Sequence, residues 1–443
     1  MVRIRGFGTV TSNDPLYVID GVPTEDVYAL NRLNPANIES MQILKDASAA
    51  SIYGARAANG VIIITTKKGK SGAAKITLDA RYGVQRATTK LDMLNTRRLG
   101  ELMYQQAVND WANGNAGDLS KFEFKNAQYG DNPTSDNFIP DYVYPDGAFK
   151  PNVNEGAYSY PGNLIAYANK EGTDWYDEVF DPAPIQEYNL AASGGTEKGR
   201  YYFGLGYFNQ QGIVKHTGFE RYSVRANTEF SPKKWLRLGE NLEVSYNEGV
   251  DFNNNSEDNP VSHAYRMQPI VPVYDIRGNF AGTKGTNTGN ANNPVAILWR
   301  GKDNVSTNWR IFGNAFVEFD IIEGLTFKTS LGVDYTNWYK SSFAWQNPEA
   351  AEPRSSNELT VDMNFVLNTT WTNTLVYNKT IADIHRFNVL LGTEAIENVY
   401  RQLMGRRSDF YSNDLSYRYL NAGSNQQNSG SGSEWALFSL LPK

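Results

Sequence analysis

Few side chains in this 443-residue chain have the types and spacing that catalysis or metal binding requires. Asp174 and Asp177 form an acidic pair of the kind used in general acid–base catalysis, but the sequence gives them no defined geometry around a bond. His216, His263 and His385 are far apart and lack the spacing of metal ligands. The chain has no cysteine, which excludes disulfides, thiol catalysis and sulfur-ligated zinc. We therefore predict no enzyme activity, no catalytic residue, no metal site and no cofactor.

One oxygen-rich segment, DFNNNSEDN at 251–259, begins like a calcium-binding loop because oxygen-bearing side chains occupy alternate positions. It lacks the glycine and the glutamate that such a loop needs, because Ser256 and Ser262 stand at those positions. A flexible polar loop is the favoured interpretation.

The composition limits the classes of protein to which the chain can belong. Aromatic residues are plentiful at 13%, led by 27 tyrosines. The net charge of -6 gives no basic surface, which argues against a nucleic-acid ligand. The longest uninterrupted aliphatic run, at 61–64, is far shorter than the roughly 18 apolar residues of a transmembrane helix. A helical membrane span is therefore excluded.

After the first 72 residues, apolar and polar residues alternate over long segments. In 221–230, for example, Tyr222 and Val224 share one face, whereas Arg225 and Glu229 lie on the other. Such alternation predicts β-strands with different surroundings on their two faces. It continues for about 9 to 16 residues, whereas strands of soluble sandwiches usually have about 5 or 6. These segments are long enough to cross a bilayer at a tilt.

The links between these segments alternate between short and long. We predict about ten strands, at 74–86, 185–194, 199–211, 219–231, 234–249, 306–322, 324–340, 359–378, 383–400 and 434–443. Short links alternate with longer ones at 87–184, 212–218, 250–305, 341–358 and 401–433. In outer-membrane barrels the short turns face the periplasm and the long loops face outside. Trp309 and Trp338 near the loop ends, and Trp235 near a turn, fit interfacial aromatic girdles.

The sequence pattern of the N-terminal part predicts a different unit, with a small mixed α/β fold. The apolar run 16–19 ends at Asp20-Gly21, a turn dipeptide in which Gly takes positive φ and Asp bonds its own backbone. Alternating apolar residues in 38–45 are consistent with another strand.

The sequence of the remainder of this unit predicts a helix followed by a strand. Residues 46–58 are rich in alanine and predict a helix opened by Asp46 and ended by Asn59-Gly60. Every residue of 61–66 is β-branched, which predicts a buried strand.

The same part of the chain resembles a known family. PLYVIDGVP at 15–23, followed by LKDASAASIYGARAANGVIIITTKKG at 44–69, resembles the plug of the SusC/RagA-type TonB-dependent outer-membrane transporters. The match is specific because it combines many residue types in a fixed order. The alternative is a generic βαβ fragment with a phosphate site, but YGARAANG lacks the G-x-G-x-x-G spacing and the G-K-[ST] ending of a phosphate cradle.

The resemblance implies an all-β transmembrane antiparallel barrel with a small mixed α/β plug domain at the N-terminus. The chain would supply about 10 of the roughly 22 strands, so the barrel would be partial. The expected domains are an N-terminally truncated plug at 1–72 and the first part of the barrel at 73–443. Because VRIRG (2–6) lies inside the plug in the family, a signal peptide and the segment that contacts TonB would precede it.

The resemblance also implies a function, TonB-dependent active import of a large solute (glycan or peptide fragments) across the cell outer membrane. The implied partners are a SusD-like lipoprotein, the TonB complex, outer-membrane lipid and the cargo, with no nucleic acid. Two other classes remain open, a secreted β-rich glycan-binding protein and a passive porin. The residues that match the plug motif are assigned to plug folding and seating: Asp20, Gly21, Lys45, Asp46, Tyr53, Gly54, Arg56, Asn59 and Gly60.

The polar faces of the predicted strands suggest how a plug would be held. They carry charged residues that would line a wet lumen, namely Arg81, Arg225, Glu229, Arg237 and Lys328. Hydrated polar contacts contribute only about 0.5 to 1.5 kcal/mol per hydrogen bond. We therefore expect a plug that can be displaced by pulling without exposing a large apolar seam.

The long links are where contact with a solute is expected. Apolar residues within 91–111 suit an amphipathic helix that packs the first of these links. A second segment, TDWYDEVF at 173–180, is more simply structural. Exposed aromatics suited to stacking on sugar or peptide are expected at Tyr142, Tyr144, Tyr158, Tyr160 and Tyr167.

An open sheet in a membrane leaves unpaired backbone groups at its edges, each costing several kcal/mol. We therefore expect these 443 residues on their own not to form a channel in planar bilayers. Reproducible single-channel conductance from the purified, detergent-soluble chain would contradict this prediction.

Overall fold

The computed structural model describes residues 3–4, 13–24, 30, 33–45, 51–115, 117–252, 257, 259–381 and 384–442. Two β-sheets account for most of the regular structure, a four-stranded sheet near the N-terminus and a ten-stranded antiparallel sheet. A small two-stranded sheet lies in a long connection. Among the described residues, no helix is both long enough and apolar enough to cross a bilayer.

The N-terminal sheet is mixed. Its strands are β1 (Leu16–Ile19), β2 (Val22–Thr24), β3 (Ile38–Leu44) and β4 (Val61–Thr66), in the spatial order β2-β1-β4-β3. β1 is parallel to β4, whereas the β1–β2 and β3–β4 pairs are antiparallel. All four residues of β1 are buried, as a central strand with two covered faces requires. The predicted strand at 61–66 is confirmed.

The predicted turn at Asp20-Gly21 is present as a two-residue hairpin between β1 and β2. Both residues have positive φ, 48° at Asp20 and 88° at Gly21. Aspartate followed by glycine suits this geometry because both tolerate the left-handed region.

The predicted α-helix at 46–58 is wrong for the part that the structure describes, and Asp46 lies outside the described residues. The chain forms a 3-10 segment at Ser51–Ala57, interrupted at Gly54, where φ is 58° and ψ is -147°. A continuous α-helix cannot contain that conformation, so alanine content alone misled the prediction.

The ten-stranded sheet is a meander in which neighbours in sequence are neighbours in space. Two further strands, β6 (Tyr142–Tyr144) and β7 (Ala166–Tyr167), form the small sheet in the first long connection. The ten predicted strands are all present. Their bounds are β5 (Gly72–Gln85), β8 (Ala183–Thr196), β9 (Gly199–Gln211), β10 (Gly218–Lys233), β11 (Leu236–Val250), β12 (Ser306–Ile322), β13 (Leu325–Ala344), β14 (Glu358–Ile381), β15 (His385–Ser408) and β16 (Ser424–Pro442).

The sheet is open, with β5 and β16 as its two edges. Its strands are linked by short turns at one end and by longer connections at the other, as predicted. Two predicted loops are too long. The loop predicted at 401–433 spans only 409–423, and the one at 341–358 spans only 345–357, because the strands on either side continue further. Glycine and serine in 424–433 hid the start of β16.

The two faces of the large sheet differ as the alternation predicts. The outer face exposes apolar side chains, for example Ile76 at 74%, Leu78 at 70% and Val224 at 53%. The inner face carries charged and amide side chains, and many of them are buried beneath the N-terminal sheet. An exposed apolar band of this extent suits contact with lipid.

The predicted girdle position of Trp338 is wrong. Trp338 alternates with Asp334 and Thr336 on the inner face, and its indole Nε1 donates a hydrogen bond to Ser306 Oγ at 2.8 Å. Trp309, by contrast, is on the outer face and 51% exposed.

The long connections pack together into one folded layer, which we call the loop cap. It contains the helices α1 (Thr96–Gly114), α2 (Trp175–Val179), α3 (Pro260–Arg266) and α4 (Pro294–Gly301). Its apolar core draws on three of the connections, with Phe138, Trp175, Val214 and Ile270 among the buried residues. The loop cap is therefore a packed structure and not a set of independent loops.

Packing in the loop cap decides the exposure of its aromatic residues. Tyr142 and Tyr144 are buried at 0% and 5%, so the prediction that they are exposed stacking residues is wrong. Tyr160 and Tyr167 are exposed. Hydrogen bonds from the hydroxyls of Tyr142 and Tyr167 hold the pKa of Glu155 below its ordinary value.

Trp175 should contribute more to the stability of the loop cap than any exposed aromatic residue. It is 1% exposed, and its Nε1 donates to the carbonyl of Gln268 at 3.2 Å. We expect Trp175→Ala to destabilise the cap by about 3–5 kcal/mol, because it leaves a cavity. The matched control is Tyr411→Ala, which removes a side chain that is 94% exposed and should change stability by no more than about 0.5 kcal/mol. Equal thermal unfolding and protease resistance of the two variants would refute the assignment.

Candidate functional site

The candidate site is the contact between the N-terminal sheet and the inner face of the large sheet, which we call the seat. At its centre lies Arg225 of β10. Its Nη2 is 2.6 Å from Asp20 Oδ2 of the β1–β2 turn, and its Nη1 is 2.9 Å from Glu243 Oε2 of the neighbouring strand β11. The three side chains are only 1%, 3% and 4% exposed. One guanidinium thus joins a carboxylate of the N-terminal sheet to a carboxylate of the wall.

The carboxylate of Asp20 is also bound within its own sheet. Its oxygens accept hydrogen bonds from the backbone N–H of Thr66 at 2.9 Å and from the Thr66 hydroxyl at 2.6 Å. The expectation that Asp20 bonds its own backbone is therefore corrected. The turn directs the carboxylate across β4 and towards the wall. Asn314 of β12 donates to the Asp20 carbonyl at 3.0 Å, so backbone and side chain are both held.

Amide and hydroxyl groups extend the seat around this centre. Asn227 Nδ2 donates to Thr66 Oγ1 at 2.9 Å and to the carbonyl of Lys67 at 2.7 Å. Asn37 donates to Glu243 Oε2 at 3.3 Å and accepts from the hydroxyl of Tyr202 at 3.0 Å. These contacts place the start of β3 and the end of β4 against three adjacent strands of the wall.

A second group of charges binds the β1–β2 hairpin further along the sheet. Arg310 and Asp334 form a buried bidentate pair, with both N–O distances at 2.9 Å. The hydroxyl of Thr24 donates to the same carboxylate at 2.9 Å. Arg56 forms a hydrogen-bonded ion pair with Glu394 of β15. The N-terminal unit therefore touches the wall from β9 to β15 through polar groups.

Glycine residues of the wall allow the close approach. A Cβ on Gly332 would lie 2.9 Å from a methyl of Val22, and a Cβ on Gly206 would lie 2.2 Å from the side-chain nitrogen of Asn34. Neither distance is compatible with normal packing. A larger side chain at Gly332 would displace Val22 of β2, and one at Gly206 would displace the side chain of Asn34.

The seat is mostly polar, but among its described residues the wall also supplies an apolar contact. Phe312 of β12 is 2% exposed and packs into the core of the N-terminal sheet with Tyr17, Ile19 and Ile64. An aromatic side chain at this point anchors the centre of the sheet by excluding water.

The expectation of a hydrated seat is wrong, because its charged groups are buried. Of the predicted lumen charges, only Arg225 lies at the centre of the seat. The other four contact neighbouring wall residues: Arg81 with Glu187, Glu229 with Arg200, Arg237 with Glu318, and Lys328 over the ring of Phe316. Buried ion pairs are costly to break because one charge is left uncompensated. The seat is therefore firmer than hydrated contacts would make it.

The residues of the plug motif have different surroundings. Asp20 and Arg56 are in the seat, whereas Gly21 is exposed in the β1–β2 turn. Burial raises the pKa of the Tyr53 phenol, and the carboxylate of Glu394 raises it further. Lys45 is exposed at the end of β3.

The last two residues of the plug motif, Asn59 and Gly60, lead the chain into β4 of the N-terminal sheet. Asn59 Nδ2 donates to the carbonyl of Asp14 at 3.3 Å. Gly60 has a φ of 94°, and its carbonyl accepts a hydrogen bond from the N–H of Leu16. The pair therefore turns the chain from the 3-10 segment into β4.

Sequence reasoning missed most of the wall residues in the seat: Asn227, Glu243, Arg310, Asn314, Asp334 and Glu394. The alternation assigns them to the inner face, which is the one signal that could have pointed to them. It does not say which inward positions lie under the N-terminal sheet.

Metal binding receives no support from the described part of the chain, which contains no group of three or more His, Asp or Glu side chains that could hold an ion. Most of the 251–259 segment lies outside the described residues. At its end, the side chain of Asn259 accepts a hydrogen bond from the N–H of Ser262 and caps α3.

Comparison with known proteins finds similarity in both parts of the molecule. Residues 1–61 match the family model of the TonB-dependent receptor plug domain. TonB-dependent receptor P3 of Formosa agariphila is 29% identical over 431 residues, which is 95% of this chain and 36% of that protein. TonB-dependent receptor SusC of Bacteroides thetaiotaomicron is 28% identical over 366 residues, 75% of this chain and 31% of that protein.

A solved structure of the RagAB peptide transporter superposes with a TM-score of 0.74 at 28% identity, covering 99% of this chain and 48% of that one. The chain thus spans about a third of the length of these curated relatives and about half of the solved chain.

Removing the positive charge of Arg225 should destabilise the attachment of the N-terminal sheet to the wall. Arg225→Met leaves Asp20 and Glu243 buried without a counter-charge, at a cost of about 3–5 kcal/mol. We expect hydrogen–deuterium exchange of the β1 amides to become about a hundredfold faster or more. Arg200→Met, which removes a half-exposed pair with Glu229, is the matched control and should cost at most about 1 kcal/mol. Unchanged β1 exchange in Arg225→Met would remove the basis for a central role of this residue.

Proposed function

Because the chain belongs to the SusC-like TonB-dependent transporters, we propose that it takes part in energised import of a large solute across the outer membrane. The expected cargo classes are glycan and peptide fragments. A SusD-like lipoprotein would capture the cargo outside, and the TonB complex would pull on the plug. The relatives are named as receptors and transporters, which supports a role without catalysis.

The seat is the observation on which this proposal rests. Residues 1–72 would be the plug and 73–443 the barrel wall. In the resting state the Asp20–Arg225–Glu243 contact opposes release of the plug, because Arg225 and Asp20 must lose their contact while both are still buried, before water can solvate them. Opening then requires work from outside the molecule, which an energised partner supplies.

The composition of the seat also explains why such opening can be reversible. Once the plug moves, water can solvate the carboxylates, amides and guanidinium groups on both surfaces. On the wall, Phe312 is an apolar side chain that this movement would expose. Polar surfaces separate in water without the large penalty that an apolar interface of the same size carries.

The ends of the wall suggest an orientation. Outer-membrane barrels place short turns in the periplasm and long loops outside. The loop cap would then face the exterior, where cargo and a surface lipoprotein arrive. The plug motif residues would fold and seat the plug.

Two other functions are less well supported. A secreted glycan-binding protein would not need a ten-stranded sheet with an exposed apolar outer face. Ile76, Leu78 and Val224 are examples of the exposed apolar residues on that face. A passive porin would not need a folded sheet bound to its lumen by buried charges.

Solute depletion by cells tests the proposal. Cells that express the intact transporter, with and without tonB, are given a mixture of oligosaccharides and peptides, and the medium is analysed by mass spectrometry. We expect depletion of at least one solute class that requires both the transporter and tonB. Depletion that persists without tonB would favour a porin, and recovery of the protein from the medium would favour a secreted binder.

A further inference from the structure

A cavity of about 510 Å³ lies beside the seat, between the β1–β2 hairpin and the inner face of the wall. Pro23 and Thr24 form its floor on the side of the N-terminal sheet. From Asp334 it extends along β13 through Thr336 to Trp338, towards the end of the wall that bears the loop cap. It is therefore placed between the loop cap and the N-terminal sheet.

The charged groups that line this cavity are already paired. Asp334 is neutralised by the bidentate contact with Arg310, and Arg56 is neutralised by Glu394. The remaining lining residues are neutral, and they include four asparagines: Asn308, Asn364, Asn368 and Asn398. A ligand with free ammonium or carboxylate groups would bury them here without a counter-charge, which is unfavourable.

The neutral residues suit a ligand rich in hydroxyl groups. Amide side chains both donate and accept hydrogen bonds, as hydroxyls do. Trp338 and Trp435 provide indole surfaces for the apolar faces of sugar rings. Because Trp338 Nε1 is bound to Ser306, its ring is held in place before any ligand arrives.

One hydrogen-bond acceptor in the cavity wall has no donor. The side-chain oxygen Oδ1 of Asn308 is buried and lacks a partner in the described structure. Further along the cavity wall, Asn398 of β15 donates to Asn368 Oδ1 of β14 at 2.7 Å, so these two amides are fixed relative to each other. A ligand hydroxyl donating to Asn308 would remove the cost of leaving a buried acceptor unsatisfied.

We propose that this cavity is a binding subsite for a neutral oligosaccharide segment, held by asparagine amides and tryptophan rings between wall and plug. The proposal rests on the proposed import function and narrows its cargo to uncharged glycans. Thr24 and Arg56 belong to both the cavity and the seat, so a bound ligand would touch groups that hold the plug.

A binding experiment with the intact detergent-solubilised transporter tests this subsite. The protein is incubated with an equal mixture of casein peptides and neutral oligosaccharides released from starch, xylan, mannan and laminarin, and the retained molecules are identified by mass spectrometry. We expect oligosaccharides to be retained and peptides to be excluded. Retention of peptides, or of neither class, would overturn the proposal.

A pair of tryptophan variants then assigns the retained ligand to this cavity. Trp338→Leu should weaken binding of the most retained oligosaccharide about tenfold, or about 1.4 kcal/mol. Trp309→Leu on the outer face of the neighbouring strand should leave it unchanged, and thermal unfolding checks that both variants fold. Equal binding by both variants would place the ligand elsewhere and overturn the subsite. Import that still requires tonB in either case would leave the transport function standing.

Discussion

The structure depends on a buried cation that two parts of the chain share. Arg225 has one carboxylate partner on the N-terminal sheet, Asp20, and one on the wall, Glu243. A guanidinium buried in this way must be fully compensated, because an unpaired charge would be far more costly than the pair is stabilising. The inner face and the N-terminal sheet therefore complete each other. The surrounding asparagine, threonine and glycine residues let the backbone approach closely enough for that compensation.

Local patterns allowed much of the fold to be predicted. Alternation over long segments located all ten wall strands, because a strand with two different faces imposes its period directly on the sequence. The Asp20-Gly21 turn was equally local. The prediction of a helix at 46–58 was wrong, because amino-acid composition does not reveal that Gly54 adopts a non-helical conformation. The start of β16 was not predicted, because the small polar residues there show no alternation of apolar and polar side chains.

The site was less predictable, because its contacts join distant positions. Asp20 and Arg225 are 205 residues apart, and Thr24 and Asp334 are 310 apart. Alternation tells which face a residue occupies, but not the height at which the N-terminal sheet meets the wall. Trp338 was a different kind of failure, since counting in steps of two from Asp334 would have placed it inside. The burial of Tyr142 followed from the folding of the loop cap, which no single segment encodes.

The close packing at Gly332 and Gly206 also bears on how such proteins diversify. Among the groups that each of these glycines faces is a side chain encoded far upstream, Val22 for Gly332 and Asn34 for Gly206. A chimera that brings in the N-terminal segment of another family member would meet a wall shaped for different side chains. Recombination within the family is therefore constrained to exchange the two segments together, or to follow each exchange with compensating substitutions in the other.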